Sequence, residues 1–191
     1  MPFDDINAAP TEALLQLYAN GDPEASRALT RRLLPRVLSH AERLLNNRAE
    51  AEDVAQEAML RLWKIAPDWR TGEAKVTTWL YRVTGNLCTD RLRRRRGVGL
   101  DEVPEPEDNG LSPADQMQEN ARAQALQAAL ARLPERQRQA VILRHIEEVG
   151  NPEIAEIMNI SVEAVESLIA RGKRALTTDL AAQRDELGIS E

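Results

Sequence analysis

Asn151–Arg174 reads NPEIAEIMNISVEAVESLIARGKR. Asn151-Pro152 opens a short helix over about 152–158, with proline in the first turn, where its missing N–H is no loss. Spacing carries Ile154, Ala155 and Met158 inward. After Met158-Asn159-Ile160, Ser161 caps a second helix that runs to about Leu180. Val162, Val165, Leu168 and Ile169 of that helix face the first. Two helices joined by so short a turn form a helix-turn-helix, whose second helix can lie in the major groove of DNA. Its outward face presents Glu163, Glu166, Ser167, Ala170 and Arg171, with Lys173 and Arg174 near the far end. Cations there can hold phosphates, and Ser167 or the glutamates can reach base edges, Glu accepting from cytosine N4. The same spacing also suits a helical hairpin in a bundle with a solvated charged face, and two outward glutamates repel phosphate.

Upstream, two further helices are expected, from about Ala114 to Arg132 and from Pro134 to Glu147. Before them lies Gly97–Pro113, GVGLDEVPEPEDNGLSP, with three of the ten prolines and three of the nine glycines. It has no apolar periodicity and reads as a flexible acidic linker between two modules. In the first module Thr11 caps a helix that stops at Asn20-Gly21. Asp22-Pro23-Glu24 starts a second, which Pro35 should bend or break. A third runs from about Ala49 to Ala66, with Pro67 beyond its end, and a fourth from about Val76 to Arg95. No alternating apolar run flanked by hairpin turns occurs, so the expected class is all-α.

The 191 residues are 42% hydrophobic and 29% charged, ordinary globular composition that excludes wholesale disorder. Four of the six aromatics (Trp63, Trp69, Trp79, Tyr81) fall within nineteen positions, and none follows Tyr81. The C-terminal core must therefore be aliphatic. The net charge of −6 argues against nucleic-acid binding, but its distribution reverses the argument. Residues 1–99 hold 16 Lys/Arg against 13 Asp/Glu, and residues 100–119 hold none against 7. Residues 120–191 hold 9 against 11. Fields act over roughly 8 Å at physiological salt, so a local patch outweighs the sum. The single Cys88 excludes an internal disulfide and suits a reducing compartment. No stretch is apolar enough to span a bilayer, and the acidic start Met1–Asp5 is unlike a signal peptide. A soluble cytoplasmic protein without membrane insertion is expected.

Two more helices carry chemistry. In KVTTWLYRVTGNLCTDRLRRRR (Lys75–Arg96), Leu80, Val83 and Leu87, with Tyr81, Cys88 and Leu92, make a wide apolar face. Trp79, Arg82, Asn86, Thr89 and Arg93 lie opposite, leading into Arg94, Arg95 and Arg96. Arginines interleaved with an aromatic and an amide suit a duplex that is being opened, with cations on phosphates and flat groups on unpaired bases. Against this, Trp79 can equally be core, and the arginines of Arg91–Arg96 a solvated helix end favoured by the dipole. In AEAEDVAQEAMLRLWK (Ala49–Lys64), Val54, Ala58, Leu62 and Trp63 face inward. Asp53, Gln56, Glu57, Leu60 and Lys64 share one exposed stripe, an acidic patch with a central leucine that suits docking to a basic protein helix. Such a stripe is also commonly no more than a solvated face.

In their order, these two helices, the acidic linker and Leu133–Leu176 (LPERQRQAVILRHIEEVGNPEIAEIMNISVEAVESLIARGKRAL) resemble the extracytoplasmic-function (ECF) sigma factors of bacterial RNA polymerase, over roughly residues 10–180. The resemblance implies two small helical domains: 1–98, a sigma-2-like bundle, and 118–191, a sigma-4-like helix-turn-helix domain, joined by the linker 99–117. It implies that Asp53, Gln56, Glu57, Leu60 and Lys64 dock on a coiled coil of the largest polymerase subunit. Trp79, Arg82, Asn86, Arg91, Arg93, Arg94, Arg95 and Arg96 would recognise and melt the −10 element, helped by the loop at about Trp69–Lys75. Ser161, Glu163, Glu166, Ser167, Arg171, Lys173 and Arg174 would read the −35 element, in a domain that packs on the polymerase flap. The linker carboxylates would mimic transcript charge in an RNA channel. The implied partners are polymerase core and promoter DNA, with an anti-sigma protein as a further candidate; the implied setting is a stress or environmental response. Three departures stand out: Val76 where an aromatic is frequent, Asn151-Pro152 for a Ser/Thr-Tyr pair, and Glu166 where a basic residue is common.

No phosphate-cradling glycine loop and no nucleophile–base pair is present, so neither catalysis nor a cofactor is expected. His40 and His145 have no partner at metal-ligand spacing and are expected at the surface or core edge, and no metal is expected. Cys88 is expected to be a small buried hydrophobe. Two other functions fit parts of the pattern: a homodimeric operator-binding regulator, and a sigma-like decoy that titrates an anti-sigma protein. The first leaves the aromatic–basic helix unexplained. Decoys of the second kind usually carry a receiver domain, for which about 190 residues leave no room.

Overall fold

The computed structural model describes residues 6–70, 72, 74–98 and 115–183, and among these every regular element is helical. Eight α-helices follow in order: α1 Thr11–Ala19, α2 Pro23–Leu45, α3 Arg48–Ile65, α4 Val76–Val98, α5 Asp115–Arg132, α6 Glu135–His145, α7 Asn151–Met158 and α8 Val162–Gln183. Short 3-10 turns cover Ile6–Ala8 and Ala66–Asp68. The core of the expected linker, residues 99–114, lies outside the described residues. The chain forms two compact units: residues through Glu42 with Arg48–Leu92, and Arg43–Asn47 with residues from Arg93 onward.

In the first unit an apolar stripe from each helix meets in one core. Leu14 and Leu15 of α1, Leu29, Leu33 and Val37 of α2, Met59 and Leu62 of α3, and Val76 and Leu80 of α4 are buried together. Burying each such large side chain stabilises the fold by about 1.5–3 kcal/mol. Local chemistry sets the helix ends. Asp22 Oδ1 accepts from the Glu24 N–H at 2.9 Å, the expected Asp cap ahead of Pro23. Thr11, expected as a cap, is instead the first residue of α1, and its hydroxyl accepts from Arg32 at 3.3 Å. Arg32 also donates to the Ala9 carbonyl at 2.7 Å. Glu12 Oε1 accepts from the Val76 N–H at 3.2 Å, so α1 caps the start of α4 from 64 residues away.

Of the bend or break expected at Pro35, the break does not occur: α2 continues through it to Leu45. Pro35 is exposed while Leu33 and Val37 beside it are buried, so core packing on both sides holds the helix across the missing N–H. His40 is fully buried, not peripheral, with its ring 4.9 Å edge-on from Tyr81 of α4. His145 is exposed and Cys88 is buried, as expected.

The second unit has the aliphatic core that its composition requires: Leu130, Leu133, Val141, Ile142, Leu143, Ile154, Ile157, Met158 and Val165 are buried. Among its described residues the one buried charge is Arg138, which donates to the carbonyls of Ala131 at 2.7 Å and Leu133 at 3.2 Å, and to that of Leu44. Burial pushes its pKa down and the Glu135 carboxylate opposes the shift. Carbonyls at a helix C-terminus carry the partial negative charge that a buried guanidinium needs. α8 packs on α5, α6 and α7. Gly172 makes the α6 crossing possible: a Cβ there would lie 2.6 Å from Val141 Cγ2 and 3.4 Å from the Gln137 carbonyl oxygen. Val141 is stiff at χ1 and buried, so it cannot swing aside. Gly172→Leu is therefore expected to destabilise this unit by about 1–3 kcal/mol through overpacking. Urea unfolding should show a lower midpoint at unchanged slope, with part of the loss recovered in a Val141→Ala background.

Candidate nucleic-acid and polymerase interfaces

The helix-turn-helix is α7 and α8. Asn159, left-handed at φ 52°, ends α7, and the Ile160 N–H reaches back to the Ala155 carbonyl at 3.1 Å. That six-to-one bond marks a Schellman stop, and asparagine tolerates the left-handed conformation it needs. Ser161 then starts α8 by accepting from the Ala164 N–H at 3.2 Å. Ile154, Ala155, Met158 and Val165 are buried as the spacing implied, and Val162, Leu168 and Ile169 are half-buried. Ile157 joins them in the core. Glu163, Glu166, Ala170, Arg171, Lys173 and Arg174 are exposed, with Ser167 half-buried among them. The Glu163 carboxyl is held below its usual range by its own backbone N–H and then by the Ser161 hydroxyl. Ser161 thus has capping work of its own.

On α4, Trp79 takes the inward of the two places that its sequence reading left open. Arg82 and Asn86 are exposed. Trp79 is half-buried against the core and meets Trp69 edge-on, ring centroids 6.0 Å apart. It is part of the wall of the first unit. The Trp69 pairing was not legible from spacing; the proline-marked turn just before it was the available signal. Residues 71 and 73 of the neighbouring loop lie outside the described residues. Of the arginines, Arg91 pairs with Asp53 at 3.8 Å in the first unit. In the second, Arg95 donates to the Leu45 carbonyl at 3.2 Å and Arg96 pairs with Glu135 at 2.6 Å. Arg93 and Arg94 are exposed.

On α3, Asp53, Gln56, Leu60 and Lys64 are exposed and Glu57 is half-buried, paired with Arg61 at 2.8 Å. Leu60 stands 62% exposed amid these polar groups. The opposite side of the helix, Ala51, Val54, Ala55, Ala58, Met59 and Leu62, is buried.

Residues 29–98 match Sigma-70 region 2, and residues 123–176 match Sigma-70, region 4. The chain is 31% identical over 171 residues to the ECF RNA polymerase sigma factor SigW of Bacillus subtilis, covering 84% of this chain and 91% of that one. The chain belongs to the ECF sigma factors. SigE of Mycolicibacterium smegmatis, another ECF sigma factor, is 34% identical over 177 residues, covering 88% of this chain and 67% of that one. The sigma factor RpoE of Bartonella quintana, solved with the anti-sigma factor NepR, shares the fold at a TM-score of 0.64 and 23% identity, over 81% of this chain and 96% of that one. ECF sigma factors are DNA-binding regulators of transcription initiation. Among the described residues, no helix is long and apolar enough to cross a membrane.

The split character of α4 can be measured. Trp79→Ala should lower stability by about 2 kcal/mol or more, because it empties packed space. Arg82→Ala and Asn86→Ala, on the exposed side, should stay within about 0.5 kcal/mol of the parent in the same urea titration.

Proposed function

We propose that this chain binds RNA polymerase core through α3, directs it to specific promoters, and helps melt the −10 element along α4 while α8 reads the −35 element. The observation that carries the reading is the order of surfaces on one chain that matches region 2 and region 4. An exposed acidic stripe with Leu60 at its centre comes first, then a helix with exposed Arg82, Asn86, Arg93 and Arg94, then a helix-turn-helix ending in Arg171, Lys173 and Arg174. Residues 1–98 are assigned to core binding and −10 melting, 99–117 to the linker, and 118–191 to −35 recognition. Asp53, Gln56, Glu57, Leu60 and Lys64 are assigned to the coiled coil of the largest subunit, and the second domain to the flap. Melting exchanges base stacking worth a few kcal/mol for contacts with captured non-template bases. Arg82, Asn86 and the exposed arginines supply the phosphate and base contacts, and Trp79 backs them from the core.

The chain acts as a regulator, not an enzyme, in the cytoplasm, within a stress or environmental response. The RpoE structure, held by an anti-sigma factor, supports an anti-sigma protein as a further partner here.

Runoff transcription with purified bacterial core polymerase on fragmented genomic DNA tests the reading. Discrete start sites that need the protein are expected; silence without core binding would overturn it. Leu60→Asp should weaken core binding on the order of tenfold, as loss of a central apolar anchor does, and leave folding intact. Equal affinity of parent and variant would remove α3 from the interface.

A further inference from the structure

The two outward glutamates of α8 differ in their chemistry. The carboxylate of Glu163, in the first turn, is engaged by its own backbone N–H and the Ser161 hydroxyl. Glu166, one turn on, is exposed, and no hydrogen bond or ion pair engages it among the described residues. Its helical neighbours at three and four residues are Val162, Glu163, Ile169 and Ala170, so no cation one turn away neutralises it; Lys173, the first cation on that face, lies two turns on. The buried Gly172, pressed on α6, and the buried Val165 fix which way α8 is turned, and Glu166 stays on the outer side.

A bare carboxylate carried into a major groove lies between two rows of phosphates and repels both. Only a base-edge donor can offset that. Guanine shows two acceptors, thymine an acceptor beside a methyl, and adenine a donor flanked by its own N7 acceptor; cytosine alone shows a donor, N4, with no acceptor on its own edge. On the reading that α8 enters the −35 major groove, we propose that Glu166 is a specificity-determining residue that selects a cytosine, on either strand, through its N4 amino group. Arg171, Lys173 and Arg174, one to two turns further along the helix, supply the phosphate contacts that hold it in register.

The test uses the full chain with bacterial core polymerase on a promoter library randomised through the −35 element, with transcript yield read for each promoter. The wild type should favour cytosine at one −35 position on the order of tenfold. Glu166→Gln should move that preference to adenine, whose N6 and N7 suit an amide, and Glu166→Ala should flatten it, with other positions unchanged. Cytosine preference kept by both variants, or a loss spread evenly over the element, overturns the assignment of Glu166 while promoter reading stands. No start sites with the wild type overturns promoter reading itself, and this proposal with it.

Discussion

A Cβ on Gly172 would lie 2.6 Å from the buried side chain of Val141, and that close approach governs the helix-turn-helix. Helices that meet across a residue without a side chain come closer than the usual 8–10 Å between axes allows for larger ones, and the contact tolerates little rotation. With α8 held at Gly172 and Val165, the outward set follows from 3.6 residues per turn: Glu163, Glu166, Ala170, Arg171 and Arg174 have nowhere else to go. Asn159 supplies the other half of the constraint. Its left-handed conformation stops α7 and aims the chain into the Ser161 cap within two residues. An interface that reads base edges needs this kind of rigidity, because hydrogen bonds discriminate only when their donors and acceptors are fixed in place.

The first unit holds α4 by other means. Glu12 satisfies the Val76 N–H at its start, the Trp69–Trp79 contact supports its first turn, and His40 and Tyr81 meet edge-on beneath its second. A helix clamped along its buried side can offer Arg82 and Asn86 on the opposite side at defined positions. Trp79 illustrates the exchange: placed in the wall, it contributes packing where a fully exposed tryptophan would lose much of its stabilising contact with the core.

The helices and most inward positions could be read from periodicity, since amphipathic spacing and cap residues act locally. Val54, Ala58 and Leu62 of α3, Ile154, Met158 and Val165 of the helix-turn-helix, and the Asp22 and Ser161 caps all lie where spacing puts them. What escaped depends on partners distant in the chain. Pro35 reads as a breaker only while the packing of Leu33 and Val37 beside it is unknown. His40 reads as peripheral until Tyr81, 41 positions on, is set against it. Trp79 reads equally as core or as surface until Trp69 is set edge-on against it. Arg138 looks like any surface arginine of a helix until the carbonyls ending α5 are brought to it. The surfaces were legible as charge patterns; their tasks came from the order in which a whole family arranges them.

Asp53 and Arg91, assigned to different partners, are paired at 3.8 Å. The side chains are 66% and 29% exposed, and a pair this open contributes about 0–1 kcal/mol. Either partner can therefore be drawn away at little loss, on the proposed assignments Asp53 by a polymerase helix and Arg91 by a phosphate. Each departure also unscreens the other member of the pair. On the proposed assignments, a core polymerase that took Asp53 would leave Arg91 with its full charge on α4, and docking at one surface would raise the affinity of the next for DNA. Thermodynamic linkage makes the effect reciprocal and caps it at the worth of the pair itself. Such coupling is too small to gate promoter binding. It also accommodates a net charge of −6: the acidic groups that weaken DNA binding in the free chain include one that core polymerase is assigned to cover.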